Sequence, residues 1–155
     1  MREREMPVQD IIHVAVKTLD LDVSNDFYTK VLGMTIAPRP ELGIPGTWLD
    51  FNGTQVHIFA GEAAYDADGQ FTPGNGAIDH LAVSAQDFDT MKQTVIDYGI
   101  DYRENDLPDA RLWQLFVKDP SGILFELNFP TDDEPDGAKG PDGPNSPLRY
   151  IPGKF

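Results

Sequence analysis

The chain contains three histidines, each in a short apolar segment: His13 in IIHVAV, His57 in TQVHIFA and His80 in AIDHLAV. A further ligand-capable residue, Glu126, stands inside ILFELNF. Imidazole and carboxylate are donors for Zn, Fe, Mn, Ni and Co, and two histidines with one carboxylate make the facial triad of non-haem iron. A lone histidine in an apolar strand is more often a core residue satisfied by one hydrogen bond. A glutamate in an apolar run is harder to assign to packing, because an unpaired buried carboxylate is costly. The positions of these residues relative to one another decide between the two readings.

His57 closes DFNGTQVH (50–57) and Glu126 closes DPSGILFE (119–126), so one pattern, D-x-x-G followed four residues on by a ligand-capable side chain, is written twice. IHVAVKTLDLD likewise aligns with DHLAVSAQDFD, which matches His13 to His80. The chain is therefore an internal repeat of about fifty residues. Two copies with one helix each suit neither a solenoid nor a propeller, and a paired module fits better. Four metal-capable residues at repeat-related positions are hard to obtain from packing alone. Strand alternation puts Ile11, His13 and Ala15 on one face, and Ile78, His80, Ala82 and Ser84 on one face in the second copy.

The elements that must position these residues follow from periodicity. IIHVAV reads as a strand. DLDVSNDFYTKVLGM reads as a helix, with N-cap candidates Asp20 and Asp22, apolar residues Val23, Phe27 and Val31, and Gly33 as its stop. MTIAPR, GTWLDF and TQVHIFA are strand-like, with Asn52-Gly53 a hairpin dipeptide. The second copy repeats the order: AIDHLAVSA, the helix DFDTMKQTVIDYGI with Phe88, Met91, Val95 and Tyr98 on one side and Gly99 as its stop, then IDYREN, RLWQLFV and ILFELNF. The fold class is α+β, two βαβββ units of about 11–61 and 77–130. In each copy the Asp and Gly are expected to build a tight hairpin between the third and fourth strands.

Composition sets the boundaries. The chain has 155 residues, 40% hydrophobic and 10% aromatic, which suits one folded domain (11–130). It has no cysteine, hence no disulfide or thiolate site. The net charge of −14 argues against nucleic acid and anionic membranes as partners. No apolar run reaches a membrane span, and the charged start MREREMPVQD (1–10) lacks a secretory core, so the expected location is cytoplasmic. The tail 131–155 is rich in Pro, Gly and Asp and should lack regular structure, its LRYIPGKF end docking on a subunit surface. Neither a phosphate loop nor a serine-hydrolase elbow is present.

The motifs IIHVAV with FYTKVLGM, then IDHLAV, then FVKDPSGILFELNF resemble those of the vicinal oxygen chelate superfamily over Ile11 to Pro130. That family includes glyoxalase I, bleomycin and fosfomycin resistance proteins, methylmalonyl-CoA epimerase and type I extradiol dioxygenases. RPELGIPGTWLDFNGTQVHIF further resembles its glyoxalase-like subgroup. The resemblance implies a U-shaped mixed sheet around a divalent metal held by His13, His80 and Glu126. His57 takes the place of either a fourth ligand or an acid–base residue, and Glu126 is the other candidate proton carrier. It also implies a homodimer and a small substrate with adjacent oxygens. Lys17 stands where glyoxalase I has arginine, and Phe116 about where the dioxygenases have tyrosine. The retained triad plus His57 favours an Fe2+ ring-cleaving dioxygenase. The alternatives are a lyase or isomerase on Zn2+, Mn2+, Ni2+ or Co2+, and a bleomycin-resistance-type binding protein.

Overall fold

Both repeats realise the βαβββ order. A computed structural model describes residues 11–155; the charged segment 1–10 lies outside the described residues. The chain divides into two compact units between Phe71 and Thr72. In the first unit, β1 (His13–Lys17), β2 (Thr35–Ala37), β3 (Gly46–Phe51) and β4 (Thr54–Phe59) form a sheet of order β1-β4-β3-β2. In the second, β5 (Leu81–Ser84), β6 (Tyr102–Leu107), β7 (Leu112–Lys118) and β8 (Leu124–Pro130) form a sheet of order β5-β8-β7-β6. Each sheet is mixed: the first and last strands pair in parallel and the other pairs are antiparallel.

One face of each sheet carries the core. In the first unit Val16, Leu49, Val56 and Ile58 are buried, as are Phe27, Tyr28 and Val31 of the helical segment. That segment begins as α1 (Leu21–Asp26), capped by the Asp20 carboxylate accepting from Val23 N at 3.0 Å. It then widens into a π-helical turn over Phe27–Val31, closed by Leu32 N donating to Phe27 O at 3.1 Å, where the sequence suggests one uninterrupted helix. Gly33 ends it at φ 72°, a conformation that favours glycine. In the second unit, α2 (Phe88–Asp97) buries Phe88 and Val95, whereas Met91 is half-buried and Tyr98 exposed, so its core stripe is narrower than the periodicity suggests. Phe88 meets Phe129 edge-on at 5.2 Å and Trp113 at 5.7 Å.

The two D-x-x-G copies fold differently. Asp50 lies within β3, paired with Gln55, and the turn is the two-residue Asn52-Gly53, with φ of 52° and 88°. Asp119 instead lies in the loop between β7 and β8. Its carboxylate accepts from Ser121 N at 2.9 Å and Ile123 N at 2.8 Å. The shared tight hairpin is therefore found only in the first copy. The second holds five residues between its last paired positions, Lys118 and Leu124, against two in the first, and Asp119 stabilises the wider loop by satisfying its amides. Gly74 and Asn75 of the GNG segment brace the same loop. Gly74 N donates to Ser121 O at 2.8 Å, and the Asn75 side chain accepts from Leu124 N at 2.6 Å.

The tail after β8 has a short 3-10 turn at Thr131–Asp133 and no further helix, as its composition suggests, yet it is docked along its length. The Glu134 carboxylate accepts from Asp87 N and Phe88 N at the start of α2, and that of Asp89 accepts from Lys139 N and Gly140 N. Gly140 lies so close to Trp113 that an added Cβ would come within 2.6 Å of the ring. The chain then runs along the edge strand β6. There Glu104 N donates to Leu148 O at 2.8 Å and Tyr150 N donates to Glu104 O at 3.1 Å. This covers a sheet edge that would otherwise be open to pairing with another chain.

Glu104, only 2% exposed, anchors this path: its carboxylate meets Lys92 Nζ at 2.9 Å and accepts from Asp142 N at 3.0 Å. Burial pulls the Lys92 pKa down, but the hydrogen bonds and charges of Glu104 and Asp142 outweigh it and raise the value overall. A lysine raised in the folded state contributes stability in full below its unfolded pKa of about 10.4, and loses it as pH climbs through the folded value. Glu104→Gln is expected to lower unfolding free energy by about 3 kcal/mol, the scale for breaking a buried pair. It should also flatten the loss of stability above about pH 10. Urea denaturation at pH 8 and pH 11 measures both effects.

Candidate functional site

In the first unit, His57 is 8% exposed and held between two rings. His13 stacks on it at 4.0 Å and 14°, and Trp48 stacks on it at 4.2 Å and 5°. The register explains the arrangement: β4 places His57 opposite Ala15 of β1 and Trp48 of β3, and the small Ala15 leaves room beside the imidazole for His13. His57 Nε2 bonds Gln55 Oε1 at 2.8 Å, with Gln55 two residues earlier on the same face. Burial, then the neighbouring His13, then the Arg39 guanidinium lower the His57 pKa, so its neutral form is favoured at pH 7. The Trp48 Nε1 and Arg39 Nε donors are buried without a partner.

The second unit repeats the register with other side chains. Glu126 of β8 lies opposite Ala82 of β5 and Phe116 of β7. His80, expected within the strand, immediately precedes β5, which begins at Leu81. It still reaches the same point: His80 Nε2 lies 3.0 Å from Glu126 Oε2, and His80 Nδ1 lies 2.7 Å from Asp79 Oδ1. The other Glu126 oxygen, Oε1, accepts from Gln114 Nε2 and Asn128 Nδ2, both at 2.8 Å. One carboxylate oxygen is thus fixed by amides, leaving Oε2 for His80.

The sequence-derived set therefore appears as two pairs, His13 with His57 and His80 with Glu126. Within each unit, among the described residues, no group of three or more His, Asp or Glu side chains is arranged to hold a metal ion. The donor chemistry of the second pair suits one. An imidazole nitrogen and a carboxylate oxygen, both metal donors, face one another at 3.0 Å there. A carboxylate on the far nitrogen of a ligating imidazole is the usual outer support of a metal histidine, and Asp79 holds that position.

Asp79, Gln114, Asn128, Trp48 and Tyr150 were not singled out by the sequence. Gln114 and Asn128 could have been found from alternation, since both share the Glu126 face once strand register is known. Asp79 carries no periodic signal. Tyr150 comes from the tail: its ring stacks on Phe116 at 3.7 Å and 11°, and its hydroxyl lies 3.4 Å from Asp79 Oδ1. Burial, then the Asp79 charge and hydrogen bond, then Glu126 raise the Tyr150 pKa, so it remains a proton donor at neutral pH.

A duplicated βαβββ module with imidazole and carboxylate at equivalent strand positions defines a two-repeat α+β class of metal-competent proteins. The chain belongs to the Glyoxalase/Bleomycin resistance protein/Dioxygenase superfamily, whose model matches residues 10–127. It is 29% identical over 118 residues to Glyoxylase I 4 of Arabidopsis thaliana, covering 74% of this chain and 67% of that protein. It is 31% identical over 132 residues to Lactoylglutathione lyase GLX1 of the same plant, covering 79% of this chain but 46% of the relative. Among solved structures, a putative glyoxalase family protein from Bacillus anthracis matches with TM-score 0.66 and 24% identity, covering 82% of this chain and 99% of that one. The fosfomycin resistance protein FosX from Listeria monocytogenes matches with TM-score 0.63 and 14% identity, covering 79% and 93%. At these identities the solved structures establish the shared fold.

The orphaned Trp48 N–H generates a prediction. Trp48→Phe keeps a ring against His57 and removes a buried donor that costs about 1–3 kcal/mol when unpaired. Its unfolding free energy in metal-free protein should stay within about 1 kcal/mol of wild type, whereas Trp48→Ala, which empties the stack, should lose about 3 kcal/mol. Denaturant unfolding of both variants distinguishes the two effects.

Proposed function

We propose that the protein is a divalent-metal-dependent lyase or isomerase of the glyoxalase type, acting on a small substrate with adjacent oxygens. The sequence relatives named as glyoxalase I and lactoylglutathione lyase support this over the ring-cleaving dioxygenase that the ligand pattern alone favours. The observation that carries the reading is the pairing of proton-moving groups with ligand-capable ones: a neutral, buried His57 beside His13, and Glu126 beside His80.

On this reading His13, His80 and Glu126 are the ion's ligands and His57 is the acid–base residue. When bound, the ion supplies Lewis-acid polarisation of the substrate's two adjacent oxygens and so acidifies the neighbouring C–H. The rest falls to the chain. Neutral His57 has a free lone pair on one ring nitrogen while Gln55 fixes the other, so it can take a proton from carbon and return it one atom away. Gln114 and Asn128 hold Glu126 in one orientation, and Asp79 does the same for His80. Trp48 covers the open side of His57 and keeps water from it. Lys17 in place of the arginine expected of glyoxalase I argues for a substrate other than the glutathione adduct. A homodimer is the expected assembly.

Protein purified without added metal should carry zinc, nickel, cobalt or manganese by elemental analysis. Iron, together with substrate-dependent oxygen uptake, would return the assignment to a dioxygenase. His57→Ala should keep its metal while turnover falls about 10²- to 10⁴-fold, the range for loss of a general acid–base group. A metal-free His57→Ala protein would instead make His57 a ligand.

A further inference from the structure

The tail that covers the β6 edge ends on the face carrying Glu126, and Tyr150 is buried there rather than loosely packed (7% exposed). Phe116, Leu124 and Tyr150 form a small apolar cluster on that face, with Phe155 packed against it. Two backbone hydrogen bonds to Glu104 and the flat stack on Phe116 fix the direction of the Tyr150 ring. Its hydroxyl is thereby carried to Asp79 Oδ1, at 3.4 Å a long hydrogen bond. The same oxygen lies 2.7 Å from His80 Nδ1. A continuous line of contacts therefore runs from Tyr150 through Asp79 and His80 to Glu126, and on to Gln114 and Asn128.

Asp79 is exposed and adjacent to His80 in sequence, so nothing in the strand restrains its carboxylate. Left alone, it would exchange between His80 and water. A donor fixed from a separate segment shifts that exchange toward the orientation in which Asp79 holds His80 Nδ1 and leaves Nε2 directed at the ligand position. We propose that Tyr150 is a positioning residue of the metal site: its hydroxyl orients Asp79, which orients His80. This rests on the assignment of His80 and Glu126 as metal ligands, and extends it to the C-terminal strap, which lies outside the repeat and beyond the family match ending at residue 127.

The test is Co2+ binding by the full chain, measured by competition with a chromophoric chelator, for wild type and for Tyr150→Phe, Asp79→Asn, the double variant and His80→Ala. Tyr150→Phe keeps the ring and its stack, and a melting temperature close to wild type confirms that the strap stays docked. Asp79→Asn is expected to weaken Co2+ binding about 10- to 100-fold, the scale for loss of an outer-shell partner. Tyr150→Phe should weaken it by less, and the double variant no more than Asp79→Asn alone, because the hydroxyl acts only through that carboxylate. Effects that add, or a Tyr150→Phe protein that binds Co2+ as wild type does, would overturn the inference while leaving the metal assignment intact. Wild-type protein that takes up no Co2+, or His80→Ala protein that binds it unchanged, would remove the metal assignment and the inference together.

Discussion

The parallel pairing of the first and last strand in each repeat is the constraint on which the site depends. It sets Ala15 against His57 and Ala82 against Glu126. Because side chains alternate along a strand, a slip of one residue would turn both functional side chains into the core face, where Val56, Ile58, Phe125 and Leu127 are buried. The hydrophobic face thus enforces the polar one. Alanine next to each functional residue is part of the same logic, since a larger side chain there would fill the space that His13 uses in one unit and His80 in the other. An aromatic residue lies on the opposite side of each: Trp48 beside His57, Phe116 beside Glu126.

Duplication supplies the scaffold twice, and the two copies have diverged in the chemistry they present. In the first unit an imidazole is shielded between rings and kept neutral. In the second a carboxylate is held by two amides and an imidazole. One backbone register thus presents an imidazole in one copy and a carboxylate in the other. The second copy also carries an addition the first lacks: a strap that wraps from the core face, past Trp113, around the β6 edge and onto Phe116.

Much of this was legible in the sequence. The repeat, the eight strands and the equivalence of His57 with Glu126 follow from alternation and from two short alignments, because strand periodicity and core burial are enforced together. The rest depended on tertiary contacts. The shared D-x-x-G spelling hides a difference in loop length, two residues against five, since whether the Asp sits in the strand or the loop depends on pairing across the hairpin. Tyr150 lies in a segment whose Pro, Gly and Asp content predicts only irregular structure. Docking was expected of its LRYIPGKF end alone, whereas the whole segment gains its order from Glu134, Asp89 and Glu104, partners that composition cannot indicate.

The acidity of the chain bears on function in a similar way. A net charge of −14 suggests a surface hostile to anions, yet the local fields at the two pairs differ. Burial, then the neighbouring His13 and the Arg39 guanidinium, oppose a positive charge on His57 and favour its neutral form. His80 has the carboxylates of Asp79 and Glu126 on either side, and burial together with those charges keeps the Tyr150 phenol protonated. The two copies of one module thus give their equivalent strand positions different local fields, each set by its own neighbours.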